Sequence, residues 1–186
     1  MQEPTPKMKR MRQNRERVGL LIVNTGNGKG KSTASFGMAI RAAGHNMTVH
    51  IVQFIKGSRD AGELHAMERF EEITIDRAGE GFTWEVRSDD RQKELAKWGM
   101  ERVKEAIARG VDLLILDEVN IVLDKGFYDT DEFLQILASR PEDMHVCCTG
   151  RRAPEALIEA AHLATEMTLL KHPFRQGIRA QPGVEF

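Results

Sequence analysis

The sequence predicts a three-layer α/β domain built around a mostly parallel central sheet of about six strands. Short apolar runs alternate with helical segments along the chain, as expected when helices cover both faces of a parallel sheet. The first apolar run leads through a glycine-rich turn directly into a helix-forming segment. No repeat or linker divides the 186 residues, a length that can bury one proper core.

Composition excludes several classes of protein. The chain is 41% hydrophobic and 30% charged, which is ordinary for a soluble globular protein. It contains no 18-residue apolar run and no start resembling a secretion signal, so we expect a cytoplasmic protein without a transmembrane helix. Cys147 and Cys148 are adjacent and are expected to be reduced thiols. The histidines and cysteines lack zinc-site spacing.

Residues 1–17 are predicted to form a flexible basic N-terminal arm, and residues 18–186 a single phosphate-loop nucleotide-binding domain. Between positions 7 and 17 there are six basic residues and one acid, a net charge of +5, against −6 for the rest of the chain. The arm is either a contact for nucleic acid or another acidic ligand, or a solvated terminus.

The N-terminal half is predicted to contain three strands and two helices. A helix is expected over Lys31–Ala43, because Gly44 is a typical C-terminal stop. Apolar residues at every third position indicate a short helix from about Gly62. The predicted strands are Leu20–Val23, Met47–Phe54 and Ile73–Ile75.

The C-terminal half is predicted to continue the alternation, after a loop over residues 77–86. Ser88 or Asp89 would cap a helix that ends near Arg109, and Thr130 or Asp131 would open a helix over Glu132–Ala138. A third helix would begin at Pro154 and reach Leu163. The long helix would bury Leu95, Trp98, Val103 and Ile107. The predicted strands are Asp112–Asp117, His145–Thr149 and Met167–Leu170, followed by an irregular tail.

The glycine-rich turn is predicted to be a phosphate-binding loop for a nucleotide. Alternating glycines let several backbone N–H groups point at one anion, and the helix start adds its positive end. Lys31 would supply charge to the outer phosphates and Ser32 a hydroxyl to Mg²⁺. The first position of the strict motif holds Thr25 instead of glycine. The predicted site residues are Thr25, Gly26, Asn27, Gly28, Lys29, Gly30, Lys31, Ser32 and Thr33.

Three further groups are candidates for the same site. Asp117 and Glu118 follow an apolar strand, at the sheet edge where ligands bind, and one of these two acids is expected to meet Mg²⁺, directly or through water, opposite Ser32. Arg151 could reach a phosphate with its guanidinium, and Arg41 is a weaker candidate for that task. A glycine-flanked loop carries Phe82 and Trp84, which either stack on a flat ligand or fold onto the core.

Together these segments resemble the phosphate-loop type of ATP:corrinoid, or cob(I)alamin, adenosyltransferases. The resemblance covers about residues 18–186, and the aromatic loop, the Gln53–Gly57 segment and the tail are its most particular features. The segments that carry it are G-N-G-K-G-K-S-T, V-Q-F-I-K-G, G-F-T-W-E, L-D-E-V-N, T-G-R and K-H-P-F…G-I-R-A-Q-P-G-V-E-F.

The resemblance implies a reaction in adenosylcobalamin biosynthesis or salvage. Co(I) of a corrinoid attacks C5′ of the ATP ribose, and triphosphate leaves. Phe82 and Trp84 would line the corrinoid face and displace the lower ligand of cobalt, while Ser32 and Glu118 would hold Mg²⁺. The arm would fold over the corrinoid, the protein would be a homodimer, and a reductase would deliver the electron.

Two other functions share the loop and the acidic strand end. A recombinase-like ATPase would use Glu118 to activate water at the γ-phosphate, and a nucleotide-gated switch would bind nucleic acid through the basic arm. Neither requires Phe82 or Trp84. A metal nucleophile needs no side-chain base, which agrees with the lack of a convincing catalytic dyad in the sequence. Lys31 is then the predicted catalytic residue, stabilising charge on the departing triphosphate.

Overall fold

The protein folds around one parallel sheet, as seen in a computed structural model that describes residues 18–55, 62–77 and 89–185. The strands are β1 (Leu21–Thr25), β2 (Val49–Gln53), β3 (Ile73–Arg77), β4 (Leu113–Asp117), β5 (His145–Thr149) and β6 (Leu163–Glu166). Their order in the sheet is β3-β2-β4-β5-β1-β6, and all five neighbouring pairs are parallel. The predicted fold class is therefore confirmed.

Helices follow the strands in the alternation that the sequence predicted. They are α1 (Lys31–Ala43), α2 (Gly62–Met67), α3 (Asp89–Arg109), α4 (Val119–Asp124), α5 (Thr130–Ala138) and α6 (Glu155–Ala160), with a 3₁₀ turn at Pro173–Gln176. The bounds of α1 and β5 are those predicted. The predicted N-terminal arm lies outside the described residues.

The two faces of the sheet bury two separate apolar clusters. On one face, α1 and α2 pack on a surface that includes Ile51 and Ile115. On the other face, α3 to α6 pack on a surface that includes Val52 and Leu114. Successive residues of β2 and β4 thus enter opposite clusters, which explains why these strands are apolar without alternation. The result is the predicted three-layer arrangement.

Helix α3 does not bury its tryptophan. Its buried residues are Ala96, Gly99, Met100, Val103 and Ala106. Trp98 was predicted to face the core, but it is 39% exposed and the guanidinium of Arg102 lies 5.5 Å from its ring centroid. The buried stripe passes through Gly99, where an added Cβ would lie 2.5 Å from the Phe54 ring. Close contact between this helix and the sheet therefore requires a residue without a side chain at position 99.

Several predicted bounds are wrong. The last strand is Leu163–Glu166, not Met167–Leu170, and the helix before it ends at Ala160. Helix α4 was not predicted. Asp129, not Thr130 or Asp131, caps α5, because its carboxylate accepts a 2.8 Å hydrogen bond from the backbone N–H of Glu132.

None of the helices in the described residues has the length and apolar character needed to cross a bilayer.

Candidate nucleotide-binding site

The glycine-rich loop joins β1 to α1, and its glycines are required for two different reasons. Gly26 and Gly30 have φ values of 93° and 104°, in the left-handed region that favours glycine. Gly28 donates its N–H to the carbonyl of Met167 over 2.6 Å, and a Cβ at position 28 would lie 2.6 Å from that same oxygen. The segment that follows β6 therefore packs directly against the backbone of the loop.

Thr25, at the position where the strict motif has glycine, ties the loop to a neighbouring strand connection. It is the last residue of β1, and its hydroxyl oxygen accepts a 3.0 Å hydrogen bond from the backbone N–H of Ala153. Ala153 lies between β5 and α6. A glycine could not make this contact, so the departure from the strict motif has a structural function.

Lys31 is buried inside the loop. Its side chain donates a hydrogen bond to the carbonyl of Gly28, and only 7% of the residue is exposed. Burial lowers the pKa of this ammonium group. The charge of Glu118 opposes the shift, while Arg151 and Lys29 add to it. The ammonium thus interacts electrostatically with Glu118, Arg151 and Lys29.

The remaining loop residues surround this lysine. Ser32 is half-buried in the first turn of α1, while Asn27 and Thr33 are exposed. Lys29 forms a 3.0 Å ion pair with Glu185 of the C-terminal tail. The loop therefore contacts chain segments more than 130 residues further along the sequence.

The two predicted acids differ in their environments. Asp117 is completely buried. One of its carboxylate oxygens accepts a 3.0 Å bond from Gln53, and the other accepts a 2.8 Å bond from the hydroxyl of Thr149. Glu118 has a left-handed backbone, with φ at 64°, and its N–H donates to the same Thr149 hydroxyl over 3.0 Å. The strained backbone turns the chain sharply from β4 into α4.

Asn120 supports this turn and was not singled out as a site residue from the sequence. Its side-chain amide donates to the carbonyls of Asn24, over 3.2 Å, and Gly150, over 3.0 Å. It therefore joins the ends of β1 and β5 to the start of α4. Gln53 and Thr149 were likewise missed as supporting residues. The signal that could have found Gln53 and Thr149 is a polar side chain at the carboxyl end of a buried parallel strand. Asn120 lies one turn further on, in α4, and carries no such signal.

The two predicted arginines lie in different places. Arg151 follows β5 at the same sheet edge as the loop, close enough for its charge to lower the pKa of Lys31. Arg41 is exposed in the last turn of α1. It lies ten positions after Lys31 in the helix, or about 15 Å along the axis. The structure thus brings Arg151, but not Arg41, to the loop. Phe82 and Trp84 lie outside the described residues.

The site offers hard oxygen ligands beside a cationic phosphate cradle. Ser32 contributes a hydroxyl, Glu118 a carboxylate, and the loop its backbone N–H groups. Such a set suits a nucleotide triphosphate with Mg²⁺, which commonly binds through one or two carboxylates and the phosphates themselves. The fold and the site define a phosphate-loop nucleotide-binding protein.

Comparison with known proteins places the chain within one family of this class. The family model described as ATP:corrinoid adenosyltransferase BtuR/CobO/CobP matches residues 17–186. The chain belongs to this family, as the resemblance of its motifs predicted, and is therefore a transferase.

The sequences of named relatives align with this chain over most of their length. A corrinoid adenosyltransferase from Pseudomonas aeruginosa is 47% identical over 180 residues, covering 94% of this chain and 87% of the relative. One from Sinorhizobium sp is 48% identical and covers 90% of this chain and 80% of the relative. One from Salmonella typhimurium is 36% identical, with 95% and 90% covered. The similarity is therefore not confined to the glycine-rich loop.

Proposed function

We propose that this protein transfers the 5′-deoxyadenosyl group of ATP to the Co(I) centre of a corrinoid, releasing triphosphate, in adenosylcobalamin biosynthesis or salvage. The observation that carries the proposal is the buried Lys31 side chain, which bonds to the glycine-rich loop and interacts electrostatically with Glu118, in a chain that matches the family over residues 17–186.

The protein's part in the reaction is to position ATP and to stabilise the leaving group. The cobalt electron pair forms the bond to C5′, while the C5′–O bond breaks and its electron pair leaves with the triphosphate. Lys31 would exchange the carbonyl of Gly28 for a phosphate oxygen, so that its charge is placed before the reaction begins. Holding C5′ near cobalt lowers the activation barrier further, because it removes the entropy cost of bringing two reactants together.

Mg²⁺ is proposed to bind between the triphosphate, Ser32 and Glu118. This assignment is supported by the oxygen donors and by the left-handed backbone at Glu118, which follows β4 at the edge where ligands bind. When bound, the ion would neutralise part of the charge of the triphosphate. Asp117 would act differently, since its carboxylate is completely buried and held by Gln53 and Thr149.

The corrinoid, the partners and the cellular location belong to the same proposal. We infer that Phe82 and Trp84 line the corrinoid face, that a reductase supplies the electron, and that the protein acts in the cytoplasm. A homodimer is supported by exposed apolar side chains near and within the C-terminal tail, at Leu163, Leu170, Phe174 and Val184, which are 50%, 92%, 81% and 77% exposed.

One assay tests the proposed function. Protein, Mg²⁺, ATP and chemically reduced cob(I)alamin are mixed without oxygen, and the products are followed by absorbance and ion-exchange chromatography. We expect one triphosphate for each alkylated corrinoid. Accumulation of ADP and phosphate without corrinoid would instead favour an ATPase.

A further inference from the structure

A cavity of about 380 Å³ lies between the glycine-rich loop and the C-terminal tail. It is lined by side chains of the loop, the β5–α6 connection, the end of β6 and the segment that follows it, and the 3₁₀ turn. The lining residues are Asn27, Arg151, Glu166, Thr168, Leu169 and Arg175. Because Asn27 belongs to the loop itself, the cavity adjoins the place where phosphates would bind.

The cavity extends the positive charge of the loop outward. Arg151 lies close enough to Lys31 for the two cations to repel each other, and Arg175 shares the cavity with Arg151. Glu166 brings a carboxylate to the same lining, which offsets part of this charge. Lys31 is electrostatically coupled to Arg151, and Arg151 shares the cavity with Arg175, a set of three cations that matches a polyanion.

The tail segment that carries Arg175 contacts the loop both before and after this residue in the sequence. The 3₁₀ turn that carries it begins where His172 Nδ1 accepts a 3.2 Å bond from the N–H of Phe174, and it ends at Gly177, with φ at 72°. Further along, Glu185 pairs with Lys29 at 3.0 Å. Upstream, Met167 is bonded to Gly28. The tail segment is thus fastened to the loop before and after Arg175.

We propose that this cavity binds the terminal phosphate of ATP and that Arg175 makes the site prefer triphosphates to diphosphates. A guanidinium can hold a phosphate through two parallel hydrogen bonds. The shorter chain of a diphosphate, anchored at Lys31, would not extend to Arg175. This inference rests on the proposed function for the identity of the nucleotide, but it can be measured without any corrinoid.

The test is calorimetric titration of wild type and Arg175→Ala with Mg²⁺ complexes of tripolyphosphate, pyrophosphate, ATP and ADP. For tripolyphosphate and ATP, the variant should bind about 10- to 100-fold more weakly, the loss expected for one hydrogen-bonding charged group. Pyrophosphate and ADP should change by less than about twofold. Arg179→Ala is the matched control, because it removes an exposed arginine of the same tail that does not line the cavity.

Each other outcome has a definite meaning. Equal weakening of triphosphates and diphosphates would overturn the proposed selectivity, and so would unchanged binding of all four ligands. Weakening of ATP and ADP with no effect on tripolyphosphate would place the adenosine in the cavity, which also overturns the proposal. If wild type transfers adenosyl but Arg175→Ala binds normally, this inference alone fails. If wild type transfers none but Arg175 still selects triphosphates, the proposed function fails and this inference stands.

Discussion

Thr149 donates its hydroxyl hydrogen to Asp117 over 2.8 Å and accepts the backbone N–H of Glu118 over 3.0 Å. The Thr149 side chain therefore holds two adjacent acids in different ways. It bonds to the carboxylate of Asp117 and to the backbone of Glu118. The buried Asp117 carboxylate is held by this contact, and the backbone of Glu118 is held beside it.

Substitution of Glu118 should separate catalysis from stability. Glu118→Gln should lower turnover and raise the Mg²⁺ concentration needed for half-maximal rate, with little change in melting temperature. Asp117→Asn should instead lower the free energy of unfolding by about 1–3 kcal/mol, because a buried polar contact is lost. Turnover against Mg²⁺ concentration and thermal unfolding measure both effects. If Asp117→Asn abolished Mg²⁺-dependent turnover while Glu118→Gln was harmless, the metal assignment would be wrong.

Removal of the Lys31 charge should affect the reaction more than the fold. Lys31→Ala should reduce turnover by about 10²-fold or more, comparable to the loss of one preorganised donor. Lys125→Ala is a suitable control, since Lys125 is exposed just beyond α4 and outside the site. Steady-state kinetics and circular dichroism check the result. A folded Lys31→Ala protein with near-normal turnover would contradict the role of the loop.

ATP affinity should fall at alkaline pH because of Lys31. Burial lowers the pKa of this ammonium group in the free protein, whereas a bound triphosphate favours its charged form. Its contribution to binding is therefore complete below the lowered pKa of the free protein and is lost as the pH rises from there through the higher pKa of the complex. Calorimetry in buffers of different ionisation enthalpy should detect proton uptake on binding in that range. Absence of proton uptake from wild type, or the same uptake by Lys31→Ala, would contradict this assignment.

The two cysteines should be unreactive in the folded protein. Burial raises the pKa of Cys147 to about 12 and that of Cys148 well above its usual value. Neither thiol should react with Ellman's reagent at pH 8, and both should react after denaturation. Above pH 9 the unfolded chain would lose thiol protons that the folded chain keeps, so the free energy of unfolding should decrease with rising pH. Cys147→Ala should show a shallower decrease.

The aromatic loop allows a test outside the described residues. If Phe82 and Trp84 line the corrinoid, their replacement by alanine should leave melting temperature and ATP binding nearly unchanged. Reaction from chemically prepared Co(I) should survive in part, whereas reaction from Co(II) should fall much further. Equal losses from both states, or destabilisation of about 3–5 kcal/mol per residue as for a core aromatic, would assign these residues to the core.

The sequence was most informative where local signals set the structure. Helix α1 has its predicted bounds because Gly30 takes a left-handed conformation before it and Gly44 follows it. Strand β6 was misplaced because all four of its residues are exposed and show no hydrophobic pattern. Its position is set by pairing with β1, Ile22 opposite Leu163, a contact that local composition does not encode.

The site was predicted where local sequence signals mark strand ends, and missed where tertiary contacts decide the structure. Lys31, Glu118 and Arg151 follow recognisable strand ends, so their convergence could be inferred from the fold. Helix α4 was missed because its apolar residues continue those of β4, and the turn between them depends on a non-glycine residue in the left-handed region. Arg175 and Glu185 were missed because they reach the loop only through the tertiary path of the tail.

The hydrogen bond between Gly28 and Met167 has a consequence for how the loop can receive an anion. A backbone N–H that is already directed at a carbonyl is not available to a phosphate, so the cradle must be formed by the donors that follow it, from Lys29 to Ser32. These amides lie where the loop enters α1, and the positive end of that helix reinforces them. The segment after the edge strand therefore determines where along the loop the triphosphate can sit.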